Sequence, residues 1–144
     1  MENIERRPSP AEAREALASV ARAQKAVRDT PWPTWLYPVN AALIAGMALT
    51  SLLPQHRSAA LLAVALSIVG VNVTAGYRMG APWALPTRRA FLAAVAASTL
   101  CVVAAVAIAD VVEPAWPVVV LAVAAAVIYL AGGVAHRAST GRPR

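Results

Sequence analysis

The chain has 144 residues, of which 59% are hydrophobic and 14% are charged, and its formal net charge is +6. Soluble domains are usually about half apolar and a quarter charged, so this composition indicates a membrane protein rather than an ordinary soluble domain. The single cysteine, Cys101, excludes an intrachain disulfide and any paired-cysteine metal or redox motif. The positive charge is compatible with nucleic acid or with an anionic membrane surface, and the positions of the cations decide between them.

Residues 1–30 form a polar N-terminal segment that contains a predicted helix over residues 10–28. Ser9 and Glu12 have the spacing of a capping box, and Pro10 suits the first helical position. One narrow apolar face carries Ala13, Leu17, Val20 and Val27. Most cations of this helix lie off the apolar face, so the helix is weakly amphipathic. Three interpretations remain open: a helix on anionic headgroups, a short coiled coil with a partner, or a solvated helix.

The boundary between this segment and the apolar part of the chain is the proline-rich stretch 30–38, TPWPTWLYP. Its three prolines end the helical pattern, and aromatic residues stand where the apolar sequence begins. Trp and Tyr collect at membrane–water interfaces, because the ring favours apolar contact while its N–H or O–H favours water. The predicted interfacial anchors are Trp32, Trp35, Tyr37, Trp83 and Trp116.

Four uncharged apolar segments follow, at 35–53, 59–77, 90–109 and 116–135. About 20 helical residues cover the ~30 Å hydrocarbon core of a bilayer, and each segment has about this length. The predicted fold is therefore all-α: an integral membrane four-helix bundle over residues 31–136, preceded by one cytoplasmic or interfacial helix. Residues 137–144 are predicted to be a basic tail.

The cations indicate the orientation of these segments. Six precede the first segment, three lie between the second and third, and three follow the fourth, which leaves only Arg57 on the opposite side. Short loops rich in Lys and Arg face the cytoplasm, so both termini are predicted to be cytoplasmic at a bacterial inner membrane. This arrangement accounts for the net charge without nucleic acid. The predicted lipid headgroup contacts are Arg22, Lys25, Arg28, Arg78, Arg88 and Arg89.

A few polar side chains lie within the segments. Asn40 and Asn72 are each five residues inside a cytoplasmic end, about 7 Å deep at helical rise, and Tyr129 reaches a similar depth. They predict an interhelical polar cluster, worth about 0.6–2 kcal/mol per hydrogen bond, or alternatively a small polar pocket open to the cytoplasmic leaflet. His56 and His136 are assigned to the surface.

No Asp, Glu, Lys, Arg or His lies inside the four segments, although ion-coupled pumps usually need such a residue. The chain resembles small multidrug exporters in size and span number, but their membrane-embedded glutamate has no counterpart in 35–53, where the polar candidates are Asn40, Thr50 and Ser51. No catalytic, cofactor-binding or metal-binding residue is predicted.

The Ala/Arg/Val-rich composition and the stretch VRDTPWPTWLYP at 27–38 resemble small actinobacterial four-span membrane proteins of unknown function. The predicted function is a non-enzymatic membrane protein, an accessory or partner-binding subunit with a basic lipid-facing helix. A small oligomeric channel or transporter is the main alternative, and a membrane enzyme acting on a lipid is the third. Small-residue pairs such as Ala42–Gly46 and Gly70–Thr74 would permit a homo-oligomer or a membrane protein partner.

Overall fold

The computed structural model describes residues 9–28, 32–80 and 88–140, and within these ranges all regular structure is helical. A 3₁₀ turn, Thr50–Leu52, extends the second of the five α-helices. The α-helices are α1 (Pro10–Arg28), α2 (Leu36–Leu49), α3 (Arg57–Arg78), α4 (Arg89–Ile108) and α5 (Trp116–Thr140).

Helix α1 begins with the predicted capping box. The Ser9 N–H donates to the Glu12 carboxylate (2.6 Å), and the Glu12 N–H donates to Ser9 Oγ (3.3 Å). The backbone hydrogen bond from Ser9, with a further contribution from its hydroxyl, lowers the pKa of Glu12. Side chains 9–24 are exposed apart from the half-buried Ala13, so this part of α1 buries no face. The predicted start and extent of the helix are confirmed.

Among the described residues, three helices are long and apolar enough to cross a membrane: Arg57–Arg78, Arg89–Ile108 and Trp116–Ala138. The predicted all-helical fold with apolar, membrane-length helices is confirmed to this extent. The fourth apolar helix, Leu36–Leu52, is shorter than the others and shorter than the predicted segment 35–53. Its α-helical part ends at Leu49 because Thr50 and Ser51 donate their hydroxyls to the carbonyls of Met47 and Ala48 (both 2.7 Å) and the backbone tightens into the 3₁₀ turn.

Helix α5 is the centre of the packing, with α4 and α2 against it, while α3 packs mainly on α2 and the 3₁₀ turn. Small side chains allow the helices to approach closely, and the buried core consists of Ala48, Val102, Ala105, Val118, Ala122 and Ala125. Helix α5 continues beyond the predicted membrane segment 116–135 and ends at Thr140. Its last turns are held by contacts with α2 and α4.

An ion pair closes the end of the bundle where α3 begins and α4 ends. The Arg57 guanidinium donates two hydrogen bonds to the Asp110 carboxylate, both 2.7 Å long. These hydrogen bonds lower the pKa of Asp110, so their stabilising contribution is present near neutral pH and is lost as the pH falls through that pKa. Both groups are solvated, which keeps the contribution small. The pair places Arg57 and the acidic turn at the same end of the molecule.

Candidate functional site

An aromatic cluster lies at the opposite end of the bundle, where α2 and α4 begin and α5 ends. It consists of Phe91 and the four rings that surround it, which are Trp32, Tyr37, Tyr129 and His136. Phe91 is 2% exposed, and His136 stacks on it with ring centroids 4.9 Å apart. The other three rings meet Phe91 edge to face, with centroids 5.7–6.3 Å away. Such geometries are the favourable ones for aromatic pairs.

Backbone contacts tie this cluster to three helices. Arg137 Nη1 donates to the Trp32 carbonyl (3.3 Å), which joins the segment before α2 to the last turns of α5. Gly133 faces the Tyr37 ring so closely that an added Cβ would overlap the ring. A Cβ added at Gly132 would likewise overlap the Cβ of Ala94. Glycine is required at both positions because the neighbouring helix occupies the space of a side chain.

Two sequence predictions are corrected by this cluster. His136 was assigned to the surface, but it is 5% exposed because α5 continues past Ala135 and brings the ring onto Phe91. Tyr37 was predicted to be an interfacial anchor, but it is also 5% exposed, because it packs between Trp32, Phe91 and Gly133. Its hydroxyl has no hydrogen-bond partner among the described residues.

Asn40 and Asn72 join α2 to α3. Asn40 Nδ2 donates to Asn72 Oδ1 (3.0 Å), and Asn72 Nδ2 donates to Asn40 Oδ1 (2.8 Å) and to the Ile68 carbonyl (2.8 Å). Tyr129 lines the same cavity as Asn40 and Asn72. The three residues of the predicted polar cluster thus lie together. Amide pairs of this kind contribute about 0.6–1.7 kcal/mol in membrane proteins, which suits a structural role.

A groove opens beside this amide pair, because α3 leans on α2 and leaves space between itself and α4. The groove has a volume of about 360 Å³. Its walls are almost entirely apolar, and two of its lining residues on α4, Leu92 and Thr99, are exposed at its open side. The lining residues are Trp32, Asn40, Ile44, Met47, Ile68, Asn72, Phe91, Leu92, Val95, Thr99, Val102 and Tyr129.

The remaining predicted residues lie on the surface or outside the described ranges. Trp35 and Trp116 are 47% and 62% exposed, as an interfacial anchor requires, whereas Trp32 is half-buried in the aromatic cluster. Trp83 lies outside the described residues, as do the side chains of Lys25 and Arg28. The exposed predicted headgroup contacts are Arg22, Arg78, Arg88 and Arg89.

Sequence reasoning missed the central position of Phe91. It offered a small polar pocket at Asn40, Asn72 and Tyr129 as an alternative, and all three residues line the groove, but the groove is almost entirely apolar. Phe91 is the only phenylalanine in the chain and stands in the first turn of a predicted segment, which is the one signal that pointed to it. Within the described ranges, no three His, Cys, Asp or Glu side chains come together as a possible metal site. No protein-family model, curated protein or solved structure matches this chain.

Proposed function

We propose that this chain is an inner-membrane protein that crosses the bilayer four times with both termini in the cytoplasm. The helix Leu36–Leu52 supports the fourth crossing, since 14 α-helical and three 3₁₀ residues extend about 27 Å, close to the ~30 Å hydrocarbon core. Arg78, Arg88 and Arg89 lie at the same end as the aromatic cluster, where short basic loops favour the cytoplasm. The solvated Arg57–Asp110 pair lies at the other end.

The topology is tested with reporter fusions to the full chain. A C-terminal reporter that is active only outside the cytoplasm should be silent, because α5 ends on the cytoplasmic side. The same reporter inserted after Gln55, in the turn before α3, should be active. Activity of the C-terminal fusion, or silence of the Gln55 insertion when the protein is present in the membrane, would contradict the four-crossing arrangement.

Within the membrane, the function that the geometry supports best is that of a non-enzymatic subunit that binds another membrane protein through α3. The observation that carries this proposal is the sparse packing of α3, whose buried residues are only Ala75 and Gly76. Its opposite face exposes Ala63, Ser67, Gly70 and Thr74, which recur every three or four residues. An added Cβ at Gly70 would meet nothing within 4 Å. Small residues at this spacing let another helix approach closely.

Site-directed photo-cross-linking tests this proposal in native membranes. Gly70→Cys in a Cys101→Ala background, labelled with a benzophenone maleimide, should give a discrete protein adduct, because the partner helix lies against that face. Leu100→Cys, on the exposed side of α4, is the matched control and should give none. An adduct of twice the chain's mass would identify the partner as a second copy. Absence of an adduct at Gly70, or equal adducts at both positions, would refute the proposal.

Helix α1 is proposed to lie on anionic headgroups, with its apolar residues toward the bilayer. Leu17 and Val20 are 70% and 52% exposed, and the described side chains of α1 find no cover on the bundle. The nearby Arg14 and Arg22 are exposed as well. A helix with exposed leucine and valine and a basic polar side can bind an anionic surface by combining apolar burial with electrostatic attraction.

Binding of α1 should therefore depend on both lipid charge and salt. A peptide of residues 9–28 should bind vesicles that contain phosphatidylglycerol, gain helical circular dichroism and dissociate when the salt is raised from about 0.05 to about 0.5 M, because the Debye length shortens. Leu17→Gln/Val20→Gln should reduce binding at both salt concentrations. Binding that is insensitive to salt, or equal on phosphatidylcholine vesicles, would contradict an electrostatic attachment.

A further inference from the structure

The groove between α3 and α4 has three features that together specify an occupant. It is apolar, it opens sideways between two helices, and its wall includes the Asn40–Asn72 pair. Within a bilayer, the open side of such a groove faces lipid rather than water. The occupant must therefore be apolar along most of its length. A polar occupant would lose its hydrogen bonds to water, and an apolar wall offers none to replace them.

The length of the groove matches one leaflet. Along α4 its lining runs from Phe91 to Val102, a distance of about 16 Å at helical rise, which is about half of the ~30 Å hydrocarbon core. Because α4 begins at Arg89, the groove starts at the end of the bundle that the proposed topology places in the cytoplasm. It therefore spans the depth of the cytoplasmic leaflet and not that of the opposite one.

The charges at the groove's cytoplasmic end favour an anionic headgroup. Helix α3 ends with Arg78, while Arg88 and Arg89 stand at the start of α4, so cations mark both walls of the groove. All three side chains are exposed, and no acidic residue occurs between Thr74 and Ala109. A basic pocket between membrane helices on the cytoplasmic side is suited to a phospholipid phosphate.

We propose that the groove binds one anionic phospholipid of the cytoplasmic leaflet, with an acyl chain along Ile68, Leu92 and Val95 and the phosphate on Arg78, Arg88 and Arg89. The Asn40–Asn72 hydrogen bonds hold α3 against α2, which keeps the groove open beside α4. This inference rests on the proposed membrane topology but not on partner binding by the outer face of α3.

Quenching of Trp32, which lines the groove, tests the proposal on the full chain. Trp35, Trp83 and Trp116 are replaced by Phe, and the protein in detergent is titrated with phosphatidylglycerol or phosphatidylcholine brominated on the acyl chain. We expect saturable quenching by both lipids, with a half-saturating concentration more than about tenfold lower for phosphatidylglycerol than for phosphatidylcholine. The reason is that each cation near an anionic lipid raises the binding affinity about fivefold. Arg78→Gln/Arg88→Gln/Arg89→Gln should abolish this preference, whereas Arg14→Gln/Arg22→Gln on α1 should preserve it.

Blocking variants separate the groove from the general surface. Thr99→Phe should raise the half-saturating lipid concentration by at least about tenfold because it fills the open side, and Val95→Phe is a second blocking variant if the first does not fold. Leu100→Phe, which adds the same ring to the exposed side of α4, should have no effect. Equal quenching by the two lipids in the unblocked protein, or unchanged binding in a folded blocking variant, would overturn the proposal. A protein adduct from a photo-cross-linker on Leu92→Cys would also overturn it, whereas failure of the Gly70 cross-link would refute only partner binding.

Discussion

Gly132→Ala is expected to destabilise the bundle by about 1–3 kcal/mol, although it adds only one methyl group. The added Cβ would overlap the Cβ of Ala94, and an alanine side chain has no torsion with which to move away. Helices α4 and α5 would have to separate, and they form the most extensive helix pair in the described part of the chain. The measurement is the midpoint of thermal unfolding in a fixed detergent, followed by circular dichroism.

A matched glycine and a compensating variant define the control for this prediction. Gly46→Ala should be neutral or slightly stabilising, because a Cβ there meets nothing within 4 Å and alanine restricts the unfolded chain more than glycine does. Combining Gly132→Ala with Ala94→Gly should recover much of the loss, since one methyl group again occupies the space between the helices. Equal effects at Gly46 and Gly132 would show that helix propensity, and not close approach, governs the result.

The extent of most helices could be predicted from the sequence. Uncharged runs of about 20 residues bounded by Pro, Arg or Asp predicted 59–77 and 90–109, and the helices occupy Arg57–Arg78 and Arg89–Ile108. The approximate depth of Asn40 and Asn72 followed from their distance to a basic boundary, which is why their pairing could be anticipated. These features depend on local sequence alone, so hydropathy and charge are sufficient to find them.

The packing of the helices could not be predicted in the same way. In a membrane protein, the faces toward lipid and toward other helices are both apolar, so hydropathy does not indicate that α3 leaves a groove beside α4. The burial of His136 depends on Phe91, 45 positions earlier, and on α5 continuing past its two glycines. The Arg57–Asp110 hydrogen bonds likewise join residues 53 positions apart, and nothing in the sequence around either residue indicates that it pairs with the other.

Phe91→Ala is expected to cost about 2–4 kcal/mol of stability, because its ring is the centre of the aromatic cluster. Phe91 contacts Trp32, Tyr37, Tyr129 and His136, and its removal leaves a cavity bordered by rings from α2, α5 and the segment before α2. The loss should be smaller than for a phenylalanine buried in a water-soluble core. In lipid or detergent, an apolar side chain that leaves the bundle remains in an apolar environment, so transfer to water contributes less to the loss. The thermal midpoint in detergent measures it.

Two comparisons distinguish packing within the cluster from general effects of removing an apolar ring. Leu100→Ala, on the same helix but 69% exposed, should change the midpoint little, because lipid or detergent replaces the lost contacts. Phe91→Ala should also shift the emission of Trp32 to longer wavelength in a chain with no other tryptophan, since Trp32 loses its edge-to-face neighbour and becomes more accessible to water. If both substitutions shift the midpoint equally and Trp32 emission stays unchanged, the cluster does not hold this end of the bundle together. Such a result would also weaken the groove, because Trp32 and Phe91 form its cytoplasmic end.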